Sequence, residues 1–339
     1  MTGLWTLIAS FASFFITMIL GIWIIPLLRK LKYGQTILEI GPSWHKSKDG
    51  TPTMGGIMFI IGIILSSVVC VLLFYSTHSI SLDLMISKDT TVRIFAGLGM
   101  AFLYGVIGFI DDYIKVVKKR NLGLNAKQKL VMQFAVVIGY LAVIKYVGGA
   151  SSETVIPFIG TVDLGIFYWI ISAIVIVGVV NAVNLSDGID GLDGSITFFA
   201  AVIMMTIASF ICMTDVSIVA GALAGGCLGF LIWNFHPAKV FMGDTGSLFL
   251  GGMVCAITYS MNMPILILLI GIMYLIEMFS VILQVTYFKA TKGKRLFKMS
   301  PIHHHFEMSG WSEIKITVVF SIITVLSGLC ALALVIYGV

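Results

Sequence analysis

Charge is what this sequence has least of. Only 11% of its 339 residues are Asp, Glu, Lys or Arg, against 59% that are hydrophobic, which is too little polar surface to coat a soluble globule of this size. Cysteine is scarce as well. Cys70, Cys212, Cys227, Cys255 and Cys330 all fall in apolar stretches, odd in number and without a CxxC pair, so they read as packing residues rather than as a disulfide framework. A GxxxxGK[ST] phosphate loop is missing, and so is the twelve-residue EF-hand ladder. No inverted repeat relates the two halves of the chain, which weighs against a secondary transporter. A cleavable leader is not expected, because the first apolar stretch is long and lacks both a basic start and a small-residue cleavage site. The net charge of +5 is accounted for by basic loops at one membrane face and calls for no nucleic-acid partner.

What the chain has in abundance is long hydrophobic runs. Ten of them, near 4–28, 54–75, 91–110, 129–147, 166–184, 196–213, 217–235, 247–260, 264–288 and 314–337, match the length that a core about 30 Å thick requires. They predict an all-α polytopic membrane protein of ten transmembrane helices, a single integral membrane domain over 1–339. The eighth is short and is expected to be half-buried or tilted. All of the basic residues except Lys88, Arg93 and Lys145 lie in loops 29–53, 111–129 and 236–247 or around the ninth connection, at 289–315. Lys and Arg are retained on the cytoplasmic side, so both termini are expected outside and the polar loops inside. One outside connection, 154–162, has β-branched residues around a Gly-Thr turn signal and predicts a small extracytoplasmic β-hairpin.

The residues suited to chemistry sit on the inside loops. Asp111-Asp112 follows the third apolar run directly, as if at a helix C-terminus, where the macrodipole prefers cations. A solvated helix end explains that placement; so does a cation or a proton-transfer task. In the run from Asn184 to Gly194, Asn184, Asp187 and Asp190 recur at i, i+3 and i+6 and would share a face if the segment is helical. An Asx-rich turn is the structural alternative. Gly243-Asp244-Thr245-Gly246-Ser247 opens the next helix, either as an N-cap or as a helix start that receives phosphate oxygens. His303-His304-His305 can supply donors, and charge when protonated, to a diphosphate; no second ligand set accompanies them for zinc. Glu277 lies within an apolar run, the best clue for an ion- or proton-coupled transporter. The other acids sit at loop level.

Five motifs in order, Thr51-Pro52-Thr53-Met54-Gly55-Gly56, Asp111-Asp112, Asn184 to Gly191, Gly243 to Ser247 and Pro301-Ile302-His303-His304-His305-Phe306-Glu307, closely resemble the phospho-N-acetylmuramoyl-pentapeptide transferase (MraY) family of polyprenyl-phosphate N-acetylhexosamine-1-phosphate transferases. The resemblance covers essentially the whole chain. Ser186 stands where many relatives carry threonine, and Asp193 adds an acid. The resemblance implies transfer of phospho-MurNAc-pentapeptide from UDP-MurNAc-pentapeptide to undecaprenyl phosphate, giving lipid I and UMP, with Mg²⁺ as cofactor, in the bacterial cytoplasmic (inner) membrane with the active site on the cytoplasmic face. Membrane lipids are then expected partners, and a homodimer is allowed. It also implies residue roles: Asp244 with Asp187 for Mg²⁺, Asp111 for positioning or deprotonating the lipid phosphate with Asp112 close by, and His303 with His304 and His305 for charge on the diphosphate. Asn184, Asp187 and Asp190 would shape the nucleotide and metal surroundings. Lys48, Thr53, Lys127, Asn234, Phe241 and Gln284 would line the nucleoside and sugar site, Phe241 offering a stacking face to uracil. A transferase using UDP-GlcNAc is the nearest alternative, and the Pro301 to Glu307 segment favours the muramoyl-pentapeptide enzyme.

Overall fold

The computed structural model describes residues 2–31, 48, 50–77, 84–117 and 123–338. Several basic residues of the topology argument, Lys32, Lys46, Lys118, Lys119 and Arg120, lie outside them. The helices are α1 (Thr2–Lys30), α2 (Gly56–Thr77), α3 (Leu84–Val117), α4 (Ala126–Tyr146), α5 (Ile166–Ser186), α6 (Leu192–Phe210), α7 (Thr214–Asn234), α8 (Gly243–Ser260), α9 (Ile267–Ile270), α10 (Ile272–Ala290), α11 (Ile302–Glu307) and α12 (Glu313–Gly338). Among the described residues nine helices are long and apolar enough to cross a membrane. The tenth expected span, α8, is not one of them.

The reason is where α8 sits. Every residue from Thr245 to Ser260 is buried, because α3 and α5 wrap it, and a helix that never meets lipid need not be apolar throughout. Its hydroxyls are satisfied on the helix itself: Ser247 Oγ donates to the Gly243 carbonyl at 3.1 Å, Thr258 Oγ1 to that of Val254 at 3.0 Å and Ser260 Oγ to that of Ala256 at 2.8 Å. Such closure is what a low-dielectric core demands. The approach of α3 is so close that a β-carbon on Gly108 would lie 2.1 Å from the Asp244 carbonyl oxygen. On the other side of the bundle α7 lies against α1 in the same manner, a β-carbon at Gly225 meeting the Ser10 carbonyl at 1.9 Å; small residues let backbones approach where no hydrophobic effect drives helices together.

Two expected runs end elsewhere. The third helix does not stop at Ile110 but continues through Asp111-Asp112 to Val117, so the two acids lie inside the helix and the dipole penalty, confined to the last turn, falls on neither. Lys115 occupies that turn instead. The ninth run, 264–288, is interrupted: a 3₁₀ turn at Pro264–Leu266 and the short α9 precede a break at Gly271. Ser327 Oγ from α12 donates to the Leu269 carbonyl at 2.8 Å, meeting one group that the break exposes.

The hairpin forms where the turn signal placed it. Strands β1 (Glu153–Ile156) and β2 (Gly160–Asp163) pair antiparallel, with Glu153 opposite Asp163 and Ile156 opposite Gly160. It rests on the far ends of α8 and α12, through Val155 N to the Asn262 carbonyl at 3.1 Å and Phe158 N to the Gly338 carbonyl at 2.9 Å. Since α8 and α12 both begin at the polar end described below, the hairpin and the acidic loops lie at opposite ends of the bundle. In a chain whose own cysteines are replaced by alanine, Glu153→Cys is expected to react with an impermeant thiol reagent in cells stripped of any outer barrier. Lys292→Cys should react only once the membrane is opened. The reverse labelling pattern would overturn the orientation.

Candidate active site

The polar end holds three side-chain clusters, each built from several helices. The first joins α3, α4, α5 and α8. Asp112, 4% exposed, accepts from Asp244 N at 3.2 Å, Thr245 N at 2.9 Å and Thr245 Oγ1 at 2.7 Å. An acid from another helix thus caps α8, and the amides expected to await phosphate oxygens are already taken. Asp111 accepts from Leu124 N at 2.5 Å and pairs with Lys115 at 2.6 Å. Asp244 Oδ2 takes both Lys115 at 3.1 Å and Lys129 at 3.0 Å, while its Oδ1 accepts from Asn184 Nδ2 at 2.9 Å. Lys115 therefore bridges Asp111 and Asp244, and it is 40% exposed, open to an incoming anion.

Neither lysine was singled out by sequence. Lys115 follows Asp111 by one helical turn, a signal that goes unused when the helix is taken to end at the acids. Lys129 lies one turn into α4, which begins in a capping box: Gln128 N donates to Asn125 Oδ1 at 2.8 Å and Asn125 N to Gln128 Oε1 at 3.1 Å. On that helix the expected Lys127 is exposed, and it is Lys129 that faces Asp244.

The second cluster centres on Asp190. Lys48 Nζ lies 2.7 Å from Asp190 Oδ1 and 2.6 Å from Glu313 Oε2; His236 Nδ1 and Ala238 N approach Asp190 Oδ2 at 3.0 and 2.9 Å. Asp190, His236 and Glu313 form the one group among the described residues in which three such ligand atoms lie within 4.8 Å of one another. The Lys48 ammonium already serves as its cation. Asn234 bolts the same region together, accepting from Gly191 N at 3.1 Å and donating to the Val240 carbonyl at 2.9 Å. These contacts correct the helical-face reading of the acidic loop. Because α5 ends at Ser186 and Asp187 leaves the helix at φ −82°, ψ 53°, Asn184 turns to Asp244 whereas Asp190 turns to Lys48.

Asp187 lies between the two clusters, and its carboxylate meets no hydrogen-bond donor among the described residues. Burial, then the negative charges of Asp193, Asp244, Asp112 and Asp190, push it well above the usual carboxylate range. Asp187 and Asp244 each offer hard carboxylate oxygens of the kind that Mg²⁺ takes, and Asp187 feels the charge of Asp244.

The third cluster gathers the histidines, each with a partner of its own. His303 Nδ1 is 3.1 Å from Glu277 Oε1, His304 Nδ1 is 2.6 Å from Glu307 Oε2, and His305 Nδ1 accepts from Lys298 N at 3.1 Å. The His303 and His304 rings lie 4.1 Å apart between centroids. Gln284 is likewise committed, its Oε1 accepting from Leu296 N and Phe297 N at 3.0 and 2.8 Å and its Nε2 donating to the Phe297 carbonyl at 3.2 Å, so it holds a loop rather than facing solvent. Thr53 is buried. Phe241 is only partly buried, and its backbone is fixed by Gly55 N and the Pro52 carbonyl at 2.8 Å each.

Comparison with known proteins adds an independent line. Residues 94–262 match the glycosyl transferase family 4 model, and residues 48–60 match signature 1 of phospho-N-acetylmuramoyl-pentapeptide-transferase. Relatives named phospho-N-acetylmuramoyl-pentapeptide-transferase include one from Caldicellulosiruptor bescii, 45% identical over 332 residues that make up 97% of each chain. Another, from Listeria monocytogenes, is 45% identical over 337 residues, 99% of this chain and 100% of the relative. A third, from Clostridioides difficile, is 45% identical over 316 residues, 92% of each.

Proposed function

The chain belongs to the phospho-N-acetylmuramoyl-pentapeptide-transferase family, and from that premise we propose how its polar end carries out the reaction. It is a multi-pass membrane transferase of peptidoglycan synthesis. It moves phospho-MurNAc-pentapeptide from UDP-MurNAc-pentapeptide to undecaprenyl phosphate, leaving UMP and forming lipid I. The observation that carries the residue assignment is the bridge of Lys115 between Asp111 and Asp244, at the end of a bundle whose outer surface is apolar. One substrate is a soluble polyanion and the other has a phosphate on a lipid tail. A charged cluster bordered by lipid-facing helices receives both.

In this reading the site works from the cytoplasmic face. Lys115 and Lys129 draw in phosphate oxygens, and Asp111 holds Lys115 in place and takes or directs the proton of the lipid phosphate. Asp187 and Asp244 would hold Mg²⁺, which when bound neutralises charge on the diphosphate. Asp190, tied to Lys48, His236 and Glu313, keeps the nucleotide-side loops in register, and Phe241 offers its ring to uracil. Gln284, Asn234 and Asp112 support the loops from behind instead of touching substrate.

The test is an assay of purified protein with undecaprenyl phosphate and a UDP-sugar, following UMP. UMP release is expected with UDP-MurNAc-pentapeptide, and EDTA should abolish it until Mg²⁺ is restored. Turnover of UDP-GlcNAc in its place would transfer the assignment to the sister branch of these enzymes, and full activity in EDTA would remove the metal.

A further inference from the structure

Glu277 has no part in the chemistry assigned so far, yet it is the one acid of α10. Its neighbours Ile276, Phe279 and Leu283 are exposed on the outer face of the helix, whereas Glu277 is fully buried. A buried carboxylate in an apolar bundle is costly unless it is paired. The pairing is with His303 of α11, also fully buried, at 3.1 Å from Nδ1 to Oε1.

The other face of the imidazole is equally constrained. A β-carbon on Gly188 would lie 2.1 Å from His303 Nε2, so the ring edge abuts the backbone of the acidic connection between Asp187 and Asp190. Any side chain at position 188 would displace it. His303 Nε2 and Glu277 Oε2 are both buried without a hydrogen-bond partner among the described residues. A buried ring nitrogen left unsatisfied is costly, which is intelligible if a substrate oxygen completes it. The neighbouring histidines lack this arrangement: His304 pairs within its own helix, and His305 accepts a backbone amide at the bundle surface.

We propose that Glu277 is a positioning residue for the transfer reaction: its carboxylate accepts the Nδ1–H of His303, sets the ring plane, and leaves Nε2–H as the donor turned toward the acidic connection for a diphosphate oxygen. A carboxylate behind a histidine sets which ring nitrogen faces the ligand and holds the ring plane. Glu277 acts through His303 and does not itself meet substrate. The inference rests on the transferase reading above.

A double-mutant cycle tests it, with UMP release as the readout. Glu277→Ala is expected to lower kcat by about 10²-fold while KM for UDP-MurNAc-pentapeptide stays within about threefold, since the interaction operates on developing charge. Glu277→Gln keeps an acceptor without the charge and should lose less, about tenfold. In a His303→Ala background, followed over long incubations, either change should add less than about twofold, because residues that act as one unit are not additive. Unchanged kcat in Glu277→Ala, a rise in KM alone, or a loss of full size on top of His303→Ala would each overturn the proposal. Should Glu277→Ala fail to fold, Glu277→Gln is read alone: a kcat loss that vanishes in the His303→Ala background supports the pairing, and wild-type kcat overturns it. Wild-type turnover in the same assay separates the two levels, for a wild-type protein that releases no UMP refutes the transferase reading itself.

Discussion

Asp244→Asn is expected to lower kcat for UMP release by about 10²–10³-fold and to leave the protein folded. The side chain keeps its shape in the variant, and Asn184 Nδ2 still finds an acceptor at Oδ1, where it now sits at 2.9 Å. What disappears is the charge that Lys115 and Lys129 converge on at 3.1 and 3.0 Å. Lys115 retains Asp111 at 2.6 Å, so it is not stranded; Lys129 loses its carboxylate. On the proposed reading, Mg²⁺ would also lose one of its few protein carboxylates. The loss should therefore be deepest at low Mg²⁺ and partly relieved as Mg²⁺ rises. Full turnover by this variant at low Mg²⁺ would remove Asp244 from the site.

The adjacent acid of α3 should behave in the opposite way. Asp112→Ala is expected to destabilise the protein by about 3 kcal/mol, visible as a lower unfolding midpoint in detergent, because three donors at the start of α8 lose their acceptor together. Two of them are backbone amides, and Thr245 is 2% exposed, so water cannot readily replace the carboxylate. Helix α8 is the inner post of the bundle, and loosening its first turn loosens Asp244 with it. Inactivity is thus expected to follow from lost structure. If Asp112→Ala proved as stable as the wild type and yet inactive, Asp112 would belong with the reacting groups and the capping role would be secondary.

Between Asp111 and Asp112 lies the limit of what the sequence shows. A pair of acids after an apolar run marks a place where something must compensate charge, and that much is legible at Asp111-Asp112. Which acid takes a lysine and which takes amides depends on the approach of α8 at Gly108, about 130 residues away in the chain and unrelated to any local pattern. The same holds for Glu277. Sequence shows an acid in a lipid-length run, a clue to a transport role, and names no partner for it. Only the packing of α11 against α10 supplies His303 as its partner.

The sequence by itself determined that the chain lives in a membrane, that its apolar runs become helices, that a hairpin closes one outside connection, and which family it joins. Those properties follow from hydrophobicity per residue, from short-range turn chemistry and from ordered local motifs, all of which act over a few residues and survive without knowledge of neighbours. Tertiary structure decided that α8 is an inner helix, that the ninth run breaks at Gly271 and that Asn184 and Asp190 serve separate clusters. It also placed Lys115 and Lys129 beside Asp244. Each of these depends on which surfaces helices far apart in sequence present to one another. In a low-dielectric bundle a buried charge or amide must find its partner wherever packing brings one, and that partner carries no mark in the linear pattern.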